Sequence, residues 1–288
     1  MKTEVSEMEE RKGKGKVMCG TLDLSALPLD CITLIISFTS PRDACRLSPV
    51  STAFNSATES DAVWESFLPS QYQALIPSSL SFSSKKQLYL SLCENPLLIE
   101  AGRKSFWMER GSGKKCYMLS PRDLTIICSV DTPWYWRWVS IPEARFDEVA
   151  ELRLVCWFEI RGRISISMLS PMTYYKAYLV YRVRNIYGFQ FYPAQLSVGV
   201  VGTEGSRRAA YLEPERDRIP IDRQPIPNDV QFPKARVDGW LEVEMGEFFN
   251  EGCVDDGELE MSALEIQGGN EKGGLILQGI EIRAITPN

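Results

Sequence analysis

The sequence predicts an α+β chain in two parts: a small unit of three short helices, then an antiparallel β-sandwich. Two patterns carry this reading. Residues 27–68, LPLDCITLIISFTSPRDACRLSPVSTAFNSATESDAVWESFL, hold apolar residues near helical spacing, each run preceded by a residue able to cap it. From about residue 97, apolar and polar residues alternate over short segments punctuated by Gly, Pro and Asp/Asn, with no long helical pattern between them.

The elements follow in order. Residues 1–22 carry EMEERKGKGK, charges of both signs with glycine between them, and read as a solvated tail. A short basic targeting signal at 11–16 is the competing reading. In the first helical unit Asp30 is expected to cap, with Ile32, Ile35, Ile36 and Phe38 as its apolar positions. Ser40 is expected to cap the second, with Pro41 at its first position and Asp43 in its first turn. Ser51 is expected to cap the third, and Val63-Trp64 follow after a polar break. About 40 residues make a poor independent core, so such a unit completes itself against another domain or a partner. Residues 69–97 read as a helical linker, its helix capped by Ser84 and stopping before Pro96. Beyond it, 151-ELRLVCWFEIRGRISI-166 reads as one alternating strand, with Leu152, Leu154, Cys156, Phe158 and Ile160 on one side. Further strands are expected at 174–189, 196–202, 240–246 and 275–285, and residues 204–236, rich in Pro and charge, as a long loop.

Composition excludes several functions. A net charge of −6 argues against a nucleic-acid wrapper, which needs a basic surface. No apolar run reaches the roughly 20 residues of a membrane span, and the first residues lack a signal-peptide core. The chain has no histidine, which removes Ser-His-Asp and Cys-His nucleophile pairs and His-containing zinc sites. Its eight cysteines are scattered without a C-x-x-C pair and read as reduced thiols, so no metal or cofactor is expected. The expected compartment is cytoplasm or nucleus.

The set Leu27-Pro28, Asp30, Ile32, Ile35, Phe38, Pro41, Asp43, Leu47, Val50, Ser51, Phe54 and Val63-Trp64, in that spacing, resembles an F-box. The resemblance implies docking onto a Skp-type adaptor and through it a cullin-RING ubiquitin ligase, with Leu27, Pro28, Ile32, Ile35, Leu47, Val50 and Trp64 as anchors. The boundaries are then a tail at 1–22, an F-box at 23–68, a helical linker at 69–97 and a sandwich domain at 98–288.

The order SFWMERGSGKKCYMLSPRDL, TPWYWRW, ELRLVCWFEIRGRI, DGWLEVEMGEFF, DGELEMSALEI and GLILQGIEIR resembles the plant phloem protein 2 (Nictaba-related lectin) family, over residues 85–286. That resemblance implies a jelly-roll, lectin-like sandwich that binds N-acetylglucosamine-containing glycans through Trp136, Glu258 and Glu265. A flat aromatic face suits the C–H groups of a sugar ring, and carboxylates accept from its hydroxyls. One departure stands out. Cys128 or Ser129 occupies the place of a second family tryptophan, a loss of about 1 kcal/mol or more of stacking.

In 134-WYWRW-138 an extended strand would put Trp134, Trp136 and Trp138 on one face. That stripe fits a core as well as a sugar platform; Trp138 is expected in the core and Trp136 at the rim. Glu258 and Glu265 are seven apart, on opposite faces of an unbroken strand, so a turn or bulge must intervene if both serve one site. Three functions compete: a non-catalytic target-recruiting subunit of the ligase, a stand-alone lectin, and a glycosidase using the two glutamates as acid and nucleophile or base.

Overall fold

The structure is a computed structural model of the chain, described over residues 27–77, 80–130, 132–214, 230–252 and 257–285. The expected tail at 1–22, with its basic stretch, lies outside the described residues.

Helix α1 spans Leu29–Ser37. Asp30 does not cap it: Pro28 holds the N-cap position, and Asp30 sits in the first turn, where its charge complements the helix dipole. Helix α2, Pro41–Leu47, is capped as expected, the Asp43 N–H donating to Ser40 Oγ at 3.2 Å. A 3₁₀ turn, Ser48–Val50, leads to α3, Thr52–Thr58, where the Phe54 N–H donates to Ser51 Oγ at 3.3 Å. The polar break after α3 is itself a cap. Ser60 Oγ accepts from the Ala62 N–H and opens a fourth helix, α4, Asp61–Phe67. The region therefore holds four α-helices rather than three.

The residues after it are packed. A single turn, α5, Tyr72–Leu75, precedes α6, Lys85–Glu94, which Ser84 caps. Leu88, Tyr89 and Leu92 of α6 are buried, and Tyr89 meets the Trp64 ring at 5.3 Å. Strands β1, Leu97–Ile99, β2, Lys104–Met108, and β3, Lys115–Leu119, begin the β-rich part. The β2–β3 turn reaches back to the helices. The Arg42 N–H donates to the Gly111 carbonyl at 3.1 Å, and the Tyr89 hydroxyl lies 3.0 Å and 3.2 Å from the carbonyls of Arg110 and Glu109. Gly113 takes a φ of +70° in this turn, a conformation that suits glycine.

The remaining strands are β4, Thr125–Ile126; β5, Trp136–Val139; β6, Val149–Leu152; β7, Phe158–Ser165; β8, Thr173–Tyr187; β9, Ala194–Val200; β10, Ser206–Ala210; β11, Val230–Gln231; β12, Lys234–Ala235; β13, Leu241–Asn250; β14, Glu258–Glu265; and β15, Gly273–Ile285. A nine-stranded sheet runs β1-β2-β3-β15-β8-β13-β12, with β6 on β15 and β5 on β6. A six-stranded sheet runs β11-β10-β9-β14-β7-β4. Pairing is antiparallel except between β10 and β11. Both sheets feed one core, with Phe106, Leu179, Tyr181 and Ile280 from the first and Phe158, Ile160, Leu196 and Met261 from the second. Ile32, Ile36 and Trp64 of the helices belong to the same cluster.

Two expectations are corrected. Residues 151–166 are not one strand: the chain leaves the large sheet after Leu152 and enters the small one at Phe158. In the crossing Val155 is buried and Cys156 exposed, the reverse of the expected alternation. The segment 204–236 carries β10, β11 and β12 as well as loop; residues 215–229 lie outside the described residues.

Candidate functional site

The strand starts and ends bring four segments to one end of the sandwich: 127–130 with 132–135 before β5, 153–157 before β7, 188–193 after β8 and 266–272 before β15. Trp136, at the first position of β5, is 2% exposed. Its indole N–H donates to the Ile127 carbonyl at 3.2 Å, and its ring lies 6.4 Å from that of Phe158. Trp136 is thus core, while Trp138 is half-buried, with the Arg122 guanidinium 3.5 Å over its ring. The expected placement of these two is inverted. Trp134 falls in the turn ahead of β5 and is 80% exposed. Of Cys128 and Ser129, the two candidates for the place of the second family tryptophan, Cys128 adopts a φ of 62° in a tight turn closed by Ser129 N–H to the Ile126 carbonyl.

Glu265 closes the same end from below. It is buried, and its Oε2 lies 2.6 Å from Lys272 Nζ, both side chains enclosed. Oε1 accepts from the Gln267 N–H at 3.0 Å. Lys272 donates to the carbonyls of Cys156 at 2.7 Å and Asn270 at 2.9 Å, and burial pulls its pKa below the ordinary lysine value. The pair therefore braces the 153–157 and 266–272 segments against each other. An enclosed carboxylate paired in this way is a poor acceptor for a ligand.

Glu258 stands at the other end of β14, exposed, with Arg163 at 3.5 Å. The β14–β7 register runs unbroken from Glu258↔Ser165 to Glu265↔Phe158. No bulge intervenes, and seven strand steps separate the glutamates by about 23 Å. Trp136, Glu258 and Glu265 do not converge on one ligand. A glycosidase needs carboxyls about 5–10 Å apart, so these two cannot flank one glycosidic bond.

Sequence reasoning missed the exposed aromatics of this end. Trp157 is 51% exposed, and Tyr187, Phe191 and Tyr192 are exposed on neighbouring segments. The Trp157 indole donates to Glu159 at 2.8 Å, and Arg161 donates to the same carboxylate at 2.7 Å. These two hydrogen bonds hold Glu159 below the usual carboxylate range. The chain of ion pairs continues through Glu260 and Arg163 to Glu258. Among the described residues, no group of three His, Cys, Asp or Glu could hold a metal ion, and no helix is long and apolar enough to cross a membrane.

A second surface lies on the helical unit. Of the expected anchors, Leu27, Pro28, Ile35 and Val50 are exposed, Leu47 is half-buried, and Ile32 and Trp64 are 1% exposed within the core. Ile32 and Trp64 cannot reach a partner. Trp64 instead donates its indole N–H to the Thr58 carbonyl at 2.6 Å. Leu29, Leu34 and Phe38 take their place in the exposed row, Phe38 at 82%.

The phloem protein 2 family model matches residues 114–284, and the F-box domain model matches residues 24–66. The chain belongs to the F-box phloem protein 2 family. Its curated relatives in Arabidopsis thaliana include F-box protein PP2-B10, 51% identical over 94% of this chain and 97% of its own length. F-box protein PP2-B1 is 46% identical over 91% of this chain and 90% of its own. F-box protein SKIP3 is 42% identical over 96% and 93%. A xylan-binding domain from Paenibacillus barcinonensis gives only a slight structural likeness, with a TM-score of 0.29 at 11% identity over 59% of this chain and 90% of that one. The F-box of this family member is the helical region with the exposed apolar row, and its phloem protein 2 region is the strand-rich part that presents the aromatic end.

Proposed function

We propose that this protein is the target-selecting subunit of an SCF-type cullin-RING ubiquitin ligase, acting in the cytoplasm or nucleus. The row Leu34, Ile35, Phe38 and Val50 docks a Skp-type adaptor, and the jelly-roll, lectin-like sandwich holds the target. That row carries the reading. Large apolar side chains left in water on α1, its C-cap and the turn before α3 are a standing cost, and fully burying each contributes about 1.5–3 kcal/mol. Helices read by a groove present such anchors. The chain performs no chemistry; it raises the effective concentration of a target near the conjugating enzyme.

The test is co-purification of the full chain with a Skp-type adaptor. Phe38→Asp and Leu34→Asp are each expected to abolish the complex while leaving the thermal midpoint near that of the wild type. A complex that survives both substitutions would move the docking surface away from this row, and failure of the folded wild type to bind any Skp-type adaptor would return the protein to the class of stand-alone binding proteins.

The aromatic end favours glycoprotein targets. Trp134 and Trp157 offer exposed ring faces, and the Glu159–Arg161–Glu260 ladder offers hydrogen-bonding groups beside them. Trp136 and Glu265 serve from beneath, as floor and brace. Calorimetric titration with N-acetylglucosamine oligomers is expected to give binding that Trp134→Ala or Trp157→Ala weakens at least tenfold. No heat from folded protein would leave target choice to a protein-binding surface.

A further inference from the structure

A cleft of about 630 Å³ lies where the helical region meets the sandwich. One wall comes from α5 and the residues beside it, including Ala74 and Leu75; the other comes from Ile99, Lys115, Tyr117 and Met168. Its volume falls in the range of small-molecule sites, which are largely apolar with a few placed polar groups.

Lys115 is the group that asks for a ligand. Its backbone is fixed at both ends, the N–H donating to Ser170 Oγ at 3.0 Å and the carbonyl accepting from the Tyr175 hydroxyl at 3.1 Å. Its ammonium has no ion pair or hydrogen bond among the described residues, although most charged side chains around the sandwich are paired. Glu100, the carboxylate lining the cleft, is taken by Lys104. Burial alone acts on Lys115, pulling its pKa below the ordinary lysine value with no carboxylate to offset it. A partly buried cation in a cleft that sets Leu75, Ile99 and Met168 beside polar groups such as Gln71 and Ser167 is stabilised by an anion that brings its own apolar body.

We propose that this cleft binds a small amphipathic carboxylate, its charged head on Lys115 and its apolar body against Leu75, Ile99, Tyr117 and Met168. Such a ligand touches both parts of the chain at once, so it stabilises their junction by binding only the folded form.

The test uses the full chain with 4-phenylbutyrate and, as the uncharged match, 4-phenylbutanol. Binding is followed by calorimetry and by the shift in thermal midpoint. The carboxylate is expected to bind saturably, at least tenfold tighter than the alcohol, and to raise the midpoint. Lys115→Met keeps the aliphatic stem and is expected to reduce the carboxylate to the level of the alcohol. Ala74→Trp fills the cleft from its exposed side, leaves Lys115 in place, and is expected to abolish binding of both. The proposal is overturned by any of three results: no saturable binding, equal binding of acid and alcohol by the wild type, or binding that persists in both variants.

Discussion

At one end of β14 Glu258 stands in solvent with Arg163 at 3.5 Å; at the other, Glu265 is enclosed with Lys272 at 2.6 Å. The two residues share one strand and one chemistry, and in the family resemblance they share one role. Their surroundings separate them. Solvent screens the first pair, so its worth is about 0–1 kcal/mol. The second has been taken out of water, and each partner is tolerated there only because the other is present. A carboxylate in the first setting is available to a ligand; in the second it is a structural member.

The largest expected effect comes from breaking the enclosed pair. Lys272→Met preserves volume but leaves Glu265 without its counter-charge and the carbonyls of Cys156 and Asn270 without a donor. A loss of about 3–5 kcal/mol is expected, read as a lowered urea midpoint in tryptophan fluorescence. Trp136→Phe comes next. It keeps an aromatic ring under the same end but strands the Ile127 carbonyl, at an expected cost of about 1–3 kcal/mol in the same assay. Glu258→Gln should be smallest, within about 0.5 kcal/mol of the wild type. Equal midpoints for Lys272→Met and Glu258→Gln would collapse the contrast between the two ends.

The helix caps were legible because capping is a local event: Ser40, Ser51 and Ser84 each accept from an N–H three residues on. Ser60 bonds only two residues ahead and sits in a polar stretch, so the start of α4 looks like a break in the sequence. The direction of α1 was not legible, because it is apolar on several sides. Ile32 and Ile36 turn inward and Leu34, Ile35 and Phe38 outward, and only the packed partners decide which. Alternation found the strands but not the sheets. Nothing in ELRLVCWFEI marks the crossing at 153–157, because a chain changing sheets keeps its apolar content while shifting its frame. The tryptophan stripe failed for a related reason: β5 begins at Trp136, so Trp134 stands outside the periodicity that was meant to place it. The glutamates were legible only as opposed in facing, and the unbroken β14–β7 register then removed the turn that could have united them.

The turn between β2 and β3 lies against α2 and α6, joined through Arg42 and Tyr89. A chain fastened at that point is a bracket and not a leash. Under the proposed function, a captured target would be presented at a set distance and angle, and its surface lysines would differ in how often they meet the incoming ubiquitin. Selection would then act twice, first on which protein is held and again on which of its lysines is modified, with the second choice set by the contacts that fasten one short turn.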